Sequence, residues 1–148
     1  KEQNVNKAII SIELNKEKIA EVANPNVIVN VYGRVPVMIM DYCPINLQKE
    51  GVCGNCRKCR SGNYLLSDEL NRNFPLLYQG NDKIAMYSNQ PINLIDKISE
   101  LKELNISNFH ISITDETNEE ILEILNSINK GKPCMIMGSS GSYYKKVL

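Results

Sequence analysis

An α/β fold is what the amino-acid sequence predicts. It takes the form of a partial (β/α) barrel, or an open and mostly parallel sheet, with a small antiparallel meander insertion carrying a Cys-rich loop. Three observations carry this expectation. Near-continuous apolar runs of strand length open the chain, and such runs suit parallel strands covered on both faces. Its final third alternates helix-spaced apolar residues with short strand-like runs. Between these regions lie three short β-like pieces separated by polar turns, the pattern of a meander.

The first run, residues 8–14, reads Ala-Ile-Ile-Ser-Ile-Glu-Leu and is a strand candidate. Asn15 follows as an N-cap, and residues 16–23 form a short helix that buries Ile19, Ala20, Val22 and Ala23. Pro25 disfavours helix at the residue before it, so Asn24-Pro25-Asn26 ends that helix. Residues 27–40 are the most strand-like part of the chain, and they divide at Gly33-Arg34. Gly33 marks a bulge or a close backbone approach, and Pro36 confines its half to an edge, a strand end or a bulge. The meander pieces are residues 64–66, 74–78 and 83–87. A helix is expected from Pro91, because Ile92, Ile95, Ile98, Leu101 and Leu104 recur about every third residue. Residues 109–114 alternate as a strand. Thr117-Asn118-Glu119-Glu120 is a capping box, and Ile121, Ile124, Leu125 and Ile128 form the buried face of the helix it starts. Gly131 and Pro133 end that helix. Residues 134–137 form a last short strand in which Cys134 is a core residue.

The chain has 148 residues, 43% of them hydrophobic and 23% charged, enough for one domain with a real core. Seventeen basic residues balance seventeen acidic ones, so no global field draws the chain to nucleic acid or to an anionic membrane. No secretory signal and no apolar run of spanning length is present, so no membrane partner is expected. The chain starts at Lys1 and soon enters a strand. The expectation is a single domain, 1–148, excised from the C-terminal part of a longer protein, with residues 41–90 as a metal-binding insertion.

Four of the five cysteines fall between residues 43 and 59. Cys53, Cys56 and Cys59 are spaced Cys-x2-Cys-x2-Cys, and Cys43 stands ten positions upstream, directly before Pro44. An odd total, with four of the five crowded into one stretch, fits a reduced, cytoplasmic thiolate site better than a secreted disulfide framework. Zinc usually takes two separated Cys-x2-Cys pairs. Three cysteines in tandem with a remote Cys-Pro are closer to the pattern that holds a four-iron iron–sulfur cluster. Gly51 and Gly54 would let the stretch fold back on itself, and Arg57, Lys58 and Arg60 would offset the thiolate charge. Free surface thiols are the bland alternative, and crowded exposed thiols oxidise readily. An iron–sulfur cluster and zinc both remain open.

Several segments resemble the collagenase-like peptidase family (peptidase family U32). They are Ser11-Ile12-Glu13-Leu14-Asn15, Val31-Tyr32-Gly33-Arg34-Val35-Pro36-Val37-Met38 and Asp41-Tyr42-Cys43-Pro44-Ile45. Met86-Tyr87-Ser88-Asn89-Gln90-Pro91-Ile92-Asn93-Leu94 is similar to the family's Tyr-Asn-Ser-x-Pro-Leu-Asn-Leu segment, and the ending Tyr143-Tyr144-Lys145-Lys146-Val147-Leu148 matches in style. The resemblance covers nearly the whole chain, but only the C-terminal part of a full-length member. It implies a (β/α) barrel and a cluster held by four cysteines. Some members are named as peptidases. Others belong to pathways that hydroxylate RNA bases or quinone precursors without oxygen, with prephenate implicated for a transfer RNA uridine. Cys43 carries over as a ligand by motif position, and Cys53, Cys56 and Cys59 complete the set. Where many members carry a Cys-Arg pair, this chain has Asp82-Lys83. The tandem cysteines replace that ligand, or Asp82 binds, or the site takes zinc. The implied partners are the rest of the barrel and an RNA substrate, and exposed strand edges would suit a homodimer. The fragment alone is expected to be inactive. A collagenase-like peptidase and a noncatalytic zinc module are the competing functions.

Glu13 and Arg34 are the candidate substrate-binding residues. Glu13 ends an apolar strand, where a barrel places active-site groups; alternatively it receives backbone N–H groups or pairs with Arg34. Arg34 could clamp a carboxylate or phosphate, or serve a structural ion pair. Asp115 and Glu116 precede the Thr117 cap, where acids favour the helix dipole. His110, the single histidine, reads as structural. No helical His-Glu-x-x-His exists, and no base is evident for Cys43 as a nucleophile, so no catalytic residue is assigned.

Overall fold

Residues 6–46, 64–81 and 83–145 are described by a computed structural model. The chain divides into two compact units, one of residues 1–33 and 90–148 and the other Arg34–Asn89. The fold is mixed α/β, with one mainly parallel sheet and one antiparallel sheet.

The first unit is built on β2 (Val27–Gly33), whose Val27, Val29 and Val31 are buried on alternate positions. β1 (Ala8–Ile9) pairs with β2 in parallel. Between them runs α1 (Lys16–Val22), where the Asn15 side chain accepts from the Lys18 N–H at 3.0 Å as the expected N-cap. β8 (Asn108–Ile111) also pairs in parallel with β2, with a register shift between Asn30 and Tyr32. α2 (Ile98–Glu103) precedes β8, and α3 (Asn118–Lys130) follows it. The Thr117–Glu120 capping box starts α3, and Gly131 ends it in the left-handed conformation at φ 61°. Buried apolar side chains include Ile19, Val29, Val31, Leu101, Ile106 and Ile124.

The predicted strand at residues 8–14 stops at Ile9. Leu14 N–H donates to the Ser11 carbonyl at 3.3 Å, which turns the chain to deliver Asn15 as the cap. The helix expected from Pro91 is also corrected. Ile92–Asn93 is a strand, β7, antiparallel to β2, and a 3-10 turn at Ile95–Lys97 leads into α2. The Asn93 N–H donates to the Ser139 carbonyl at 2.9 Å and the Ser139 N–H to the Pro91 carbonyl at 2.8 Å, and this pairing with the C-terminal segment overrides the helical spacing. Residues 134–137 are not a regular strand, and Ser139 alone bridges to Ile92. Met135 and Met137 are 82% and 79% exposed, and Cys134 is only partly buried. Leu125, expected on the buried face of α3, is 45% exposed.

The second unit is a four-stranded antiparallel sheet in the order β3-β6-β5-β4, the expected meander joined to an edge strand. Its strands are β3 (Pro36–Met40), β4 (Tyr64–Ser67), β5 (Asn73–Gly80) and β6 (Lys83–Tyr87). The β4–β5 turn is set by Asp68, whose carboxylate accepts from the N–H groups of Leu70 and Arg72, both at 2.9 Å. Arg72 Nε also donates to the other oxygen of that carboxylate; the Arg72 backbone N–H first, then its side chain, hold Asp68 below the usual carboxylate range. Asn71 and Asn81 take positive φ at the two hairpin ends. Among the described residues the sheets do not close into a barrel, and no helix is long and apolar enough to cross a membrane.

Candidate metal centre

Cys43 follows β3 by three residues, where the strand gives way to a bend at Asp41-Tyr42 and then a 3-10 turn at Pro44–Asn46. Its side chain is 9% exposed and belongs to a buried apolar group with Met40, Leu76 and Ile84. Strand register explains this seat. Met40 lies opposite Ile84, and Leu76 lies opposite Met86, so β3, β5 and β6 turn these side chains to one face. Ile45, Tyr64 and Met86 pack around the group. Ile45 lies just before residues 47–63, and Tyr64 is the first residue after them. Residues near both ends of that stretch, Ile45 and Tyr64, therefore pack against the buried group that contains Cys43. An ion pair between Lys83 and Asp41 at 3.0 Å ties β6 to the end of β3 at the surface.

Cys53, Cys56, Cys59 and Asp82 lie outside the described residues. Among the described residues no group of three or more His, Cys, Asp or Glu side chains is placed to hold a metal ion. What Cys43 offers is one sulfur in a seat with an apolar wall. That environment suits a thiolate ligand once a cation is present to carry its charge, and it limits water at the sulfur.

Glu13 is exposed in the turn after β1, where its N–H donates to Ser11 Oγ at 3.2 Å. Arg34 is partly buried, and its Nη1 donates to the carbonyls of Ser88 at 3.0 Å and Asn89 at 2.7 Å. Glu13 and Arg34 belong to different units. Glu116 accepts from the Thr114 N–H at 2.7 Å and from the Tyr32 hydroxyl at 3.3 Å, which ties the turn before α3 back to β2. Burial, then the Glu116 charge, pushes the Tyr32 phenol well above its ordinary range. His110 lies beside Asn30 across the β2–β8 pair. With the amide nitrogen of Asn30 facing it, that nitrogen has two hydrogens for three acceptors in reach, the Tyr32 carbonyl at 2.9 Å, the His110 carbonyl at 3.0 Å and His110 Nδ1 at 3.3 Å.

Cavities lined by described residues of the first unit include these. One of about 20 Å³, room for a single water, is lined by Ile19, Val29, Asn30, Leu94, Ser140 and Tyr143. The other, about 120 Å³, lies at the end of α3 among Ser99, Lys102, Ser127 and Pro133. Tyr143 is fully buried and its hydroxyl meets no hydrogen-bond partner in good geometry; burial, then the charge of nearby Glu100, pushes its phenol above the ordinary range.

The residues missed by sequence reasoning are the walls of the Cys43 seat, Leu76, Ile84 and Tyr64. Their apolar alternation was visible, but the register that aims them at Cys43 was not. No protein-family model, no curated protein and no solved structure matches this chain.

Proposed function

We propose that this chain is the metal-holding C-terminal part of a protein of the collagenase-like peptidase type, with its parallel sheet forming part of a (β/α) barrel. Cys43, Cys53, Cys56 and Cys59 hold either a four-iron cluster or zinc. The reading is supported chiefly by one observation. The residues on either side of the stretch bearing Cys53, Cys56 and Cys59 pack against the buried group that contains Cys43. With residues near both ends of the stretch held at that buried group, the cost of closing the loop is already met by the fold.

When bound, a four-iron cluster supplies one-electron chemistry, and zinc supplies a closed crosslink. The chain's own residues seat the ligand and keep water from it. Met40, Leu76 and Ile84 wall the Cys43 side chain, and β5 and β6 hold that wall in register. In the full-length protein the proposed reaction is oxygen-independent hydroxylation of an RNA base or another aromatic substrate, in the cytoplasm, with Glu13 and Arg34 as substrate-binding candidates. The rest of the barrel, an RNA substrate and a second copy of the chain are the proposed partners. Val37, Met38 and Ile39 on the edge strand β3 are exposed, which favours strand pairing with another copy.

Anaerobic purification and reconstitution, followed by iron, sulfide and zinc analysis, test the assignment. The expected result is about four iron and four sulfide per chain, lost in Cys43→Ala. Stoichiometric zinc without iron selects the zinc form, and a protein that retains neither removes the metal centre altogether.

A further inference from the structure

At the base of the Arg34–Asn89 unit, side chains continue a ladder that the backbone cannot finish. β3 and β6 pair from Met40↔Ile84 to Met38↔Met86, then shift register before Pro36↔Tyr87. Pro36 has no N–H, so it cannot donate the next ladder bond. Beyond it one backbone bond remains, from the Ser88 N–H to the Val35 carbonyl at 2.8 Å. Its reciprocal is not made to a carbonyl. The Val35 N–H donates instead to Ser88 Oγ at 3.1 Å. Next to it, Arg34 Nη1 donates to the Ser88 and Asn89 carbonyls at 3.0 and 2.7 Å. A charged donor makes a stronger bond than a neutral amide, so the guanidinium offsets what the proline removes.

These residues are the first and last of the unit, so the joint closes its two ends on each other. We propose that Arg34 and Ser88 form a clasp, a side-chain joint that shuts the base of this unit and opens independently of the β3–β6 ladder. Rotation of the Arg34 and Ser88 side chains leaves only the Ser88 N–H to Val35 carbonyl bond in such a joint, whereas a ladder bond opens only with its neighbours. Arg34 is then a positioning residue for residues 34–35 and 88–89, and the clasp opens before the β3–β6 ladder.

Amide hydrogen exchange on the full chain tests this in two variants. Arg34→Met keeps an apolar stem and removes the donors, and Ser88→Ala removes one acceptor with little risk to folding. Exchange at the Val35 and Ser88 amides should speed up about tenfold in either variant. The β6 amides of Ile84, Ala85 and Met86 should stay within about twofold of the parent, the signature of a local opening. Unchanged exchange at Val35 and Ser88 overturns the proposal. So does equal acceleration along all of β3 and β6, because the joint would then be part of the ladder. Metal content does not enter the readout, so failure of the clasp and failure of the metal centre are separately visible.

Discussion

Residues 6–33 and 90–145 bury Val31, Leu101, Ile106 and Ile124 completely, and those side chains come from both strands and helices. The Arg34–Asn89 unit buries Met40, Cys43, Leu76 and Ile84 but leaves Val37, Ile39 and Leu65 more than half exposed. The first unit covers its sheet with helices in the ordinary way of α/β proteins. The second has no helix longer than a 3-10 turn among its described residues, and one cysteine stands in its small core. A unit below about 60 residues buries a smaller share of its surface and is correspondingly marginal. Such units commonly add a metal or another crosslink. The contrast therefore gives Cys43 two roles. It fills the core, and in the proposed metal form it also joins that core to the centre.

The sharpest way to break this comparison is to truncate one fully buried side chain in each unit. Leu101→Ala should cost about 2–5 kcal/mol, read as a fall in the thermal midpoint by circular dichroism. Ile84→Ala should cost a similar amount in metal-free protein, with the loss of amide protection confined to β3, β5 and β6. Metal should restore much of that protection, because binding to the folded form adds to its stability. It should do nothing comparable for Leu101→Ala. Equal rescue of both variants would mean that the two units do not differ in how they are stabilised.

A smaller effect is expected at the end of β2. Gly33 has φ 138°, and an added Cβ would stand 2.5 Å from the Ser112 carbonyl oxygen. Gly33→Ala should cost about 1–3 kcal/mol from backbone strain, with more if Ser112 cannot retreat. Denaturant unfolding measures it. The loss should fall on the parallel sheet, because Ser112 bonds to the Tyr32 carbonyl at 2.9 Å directly after β8.

Much of this architecture was legible because local signals agreed with the long-range ones. Gly33-Arg34 does divide two strands, Asn15 and Thr117 do cap helices, and the meander lies between its polar turns. Ile92-Asn93 was not legible. An apolar residue every third position suits a helix, but Asn93 binds the Ser139 and Ile136 carbonyls, more than forty residues away, and no local pattern encodes that. Met135 and Met137 look like a strand core but find no ladder partner, so their run stays exposed. At the candidate centre, Cys43 stood out by its Cys-Pro motif. Its walls, Leu76 and Ile84, depend on register set by a hairpin in which Asn81 has φ 48°.

Charge gives the smallest predicted effect and separates the units by location. Lys16 pairs with Glu100, joining α1 to α2 in the first unit. The hydrogen bond from Lys16 holds the Glu100 carboxyl below its ordinary value of 4.5, and the same pair holds Lys16 above 10.5. A depressed carboxylate stabilises the fold above the unfolded value and loses that contribution as pH falls through the folded one. A raised lysine contributes below 10.5 and loses its share as pH rises further. The tie is therefore fullest between these limits and weakens on acidification below about pH 4.5. Both side chains are partly exposed, so solvent and salt screening keep the effect small. Asp68 in the other unit is depressed in the same direction by Arg72. Glu100→Gln should flatten the acid limb of exchange for α1 and α2 amides and leave β4 and β5 unchanged, while Asp68→Asn should do the reverse. Crossed effects would show that acid loosens the chain as one body, and the contrast between its two units would then hold for their cores but not for their surfaces.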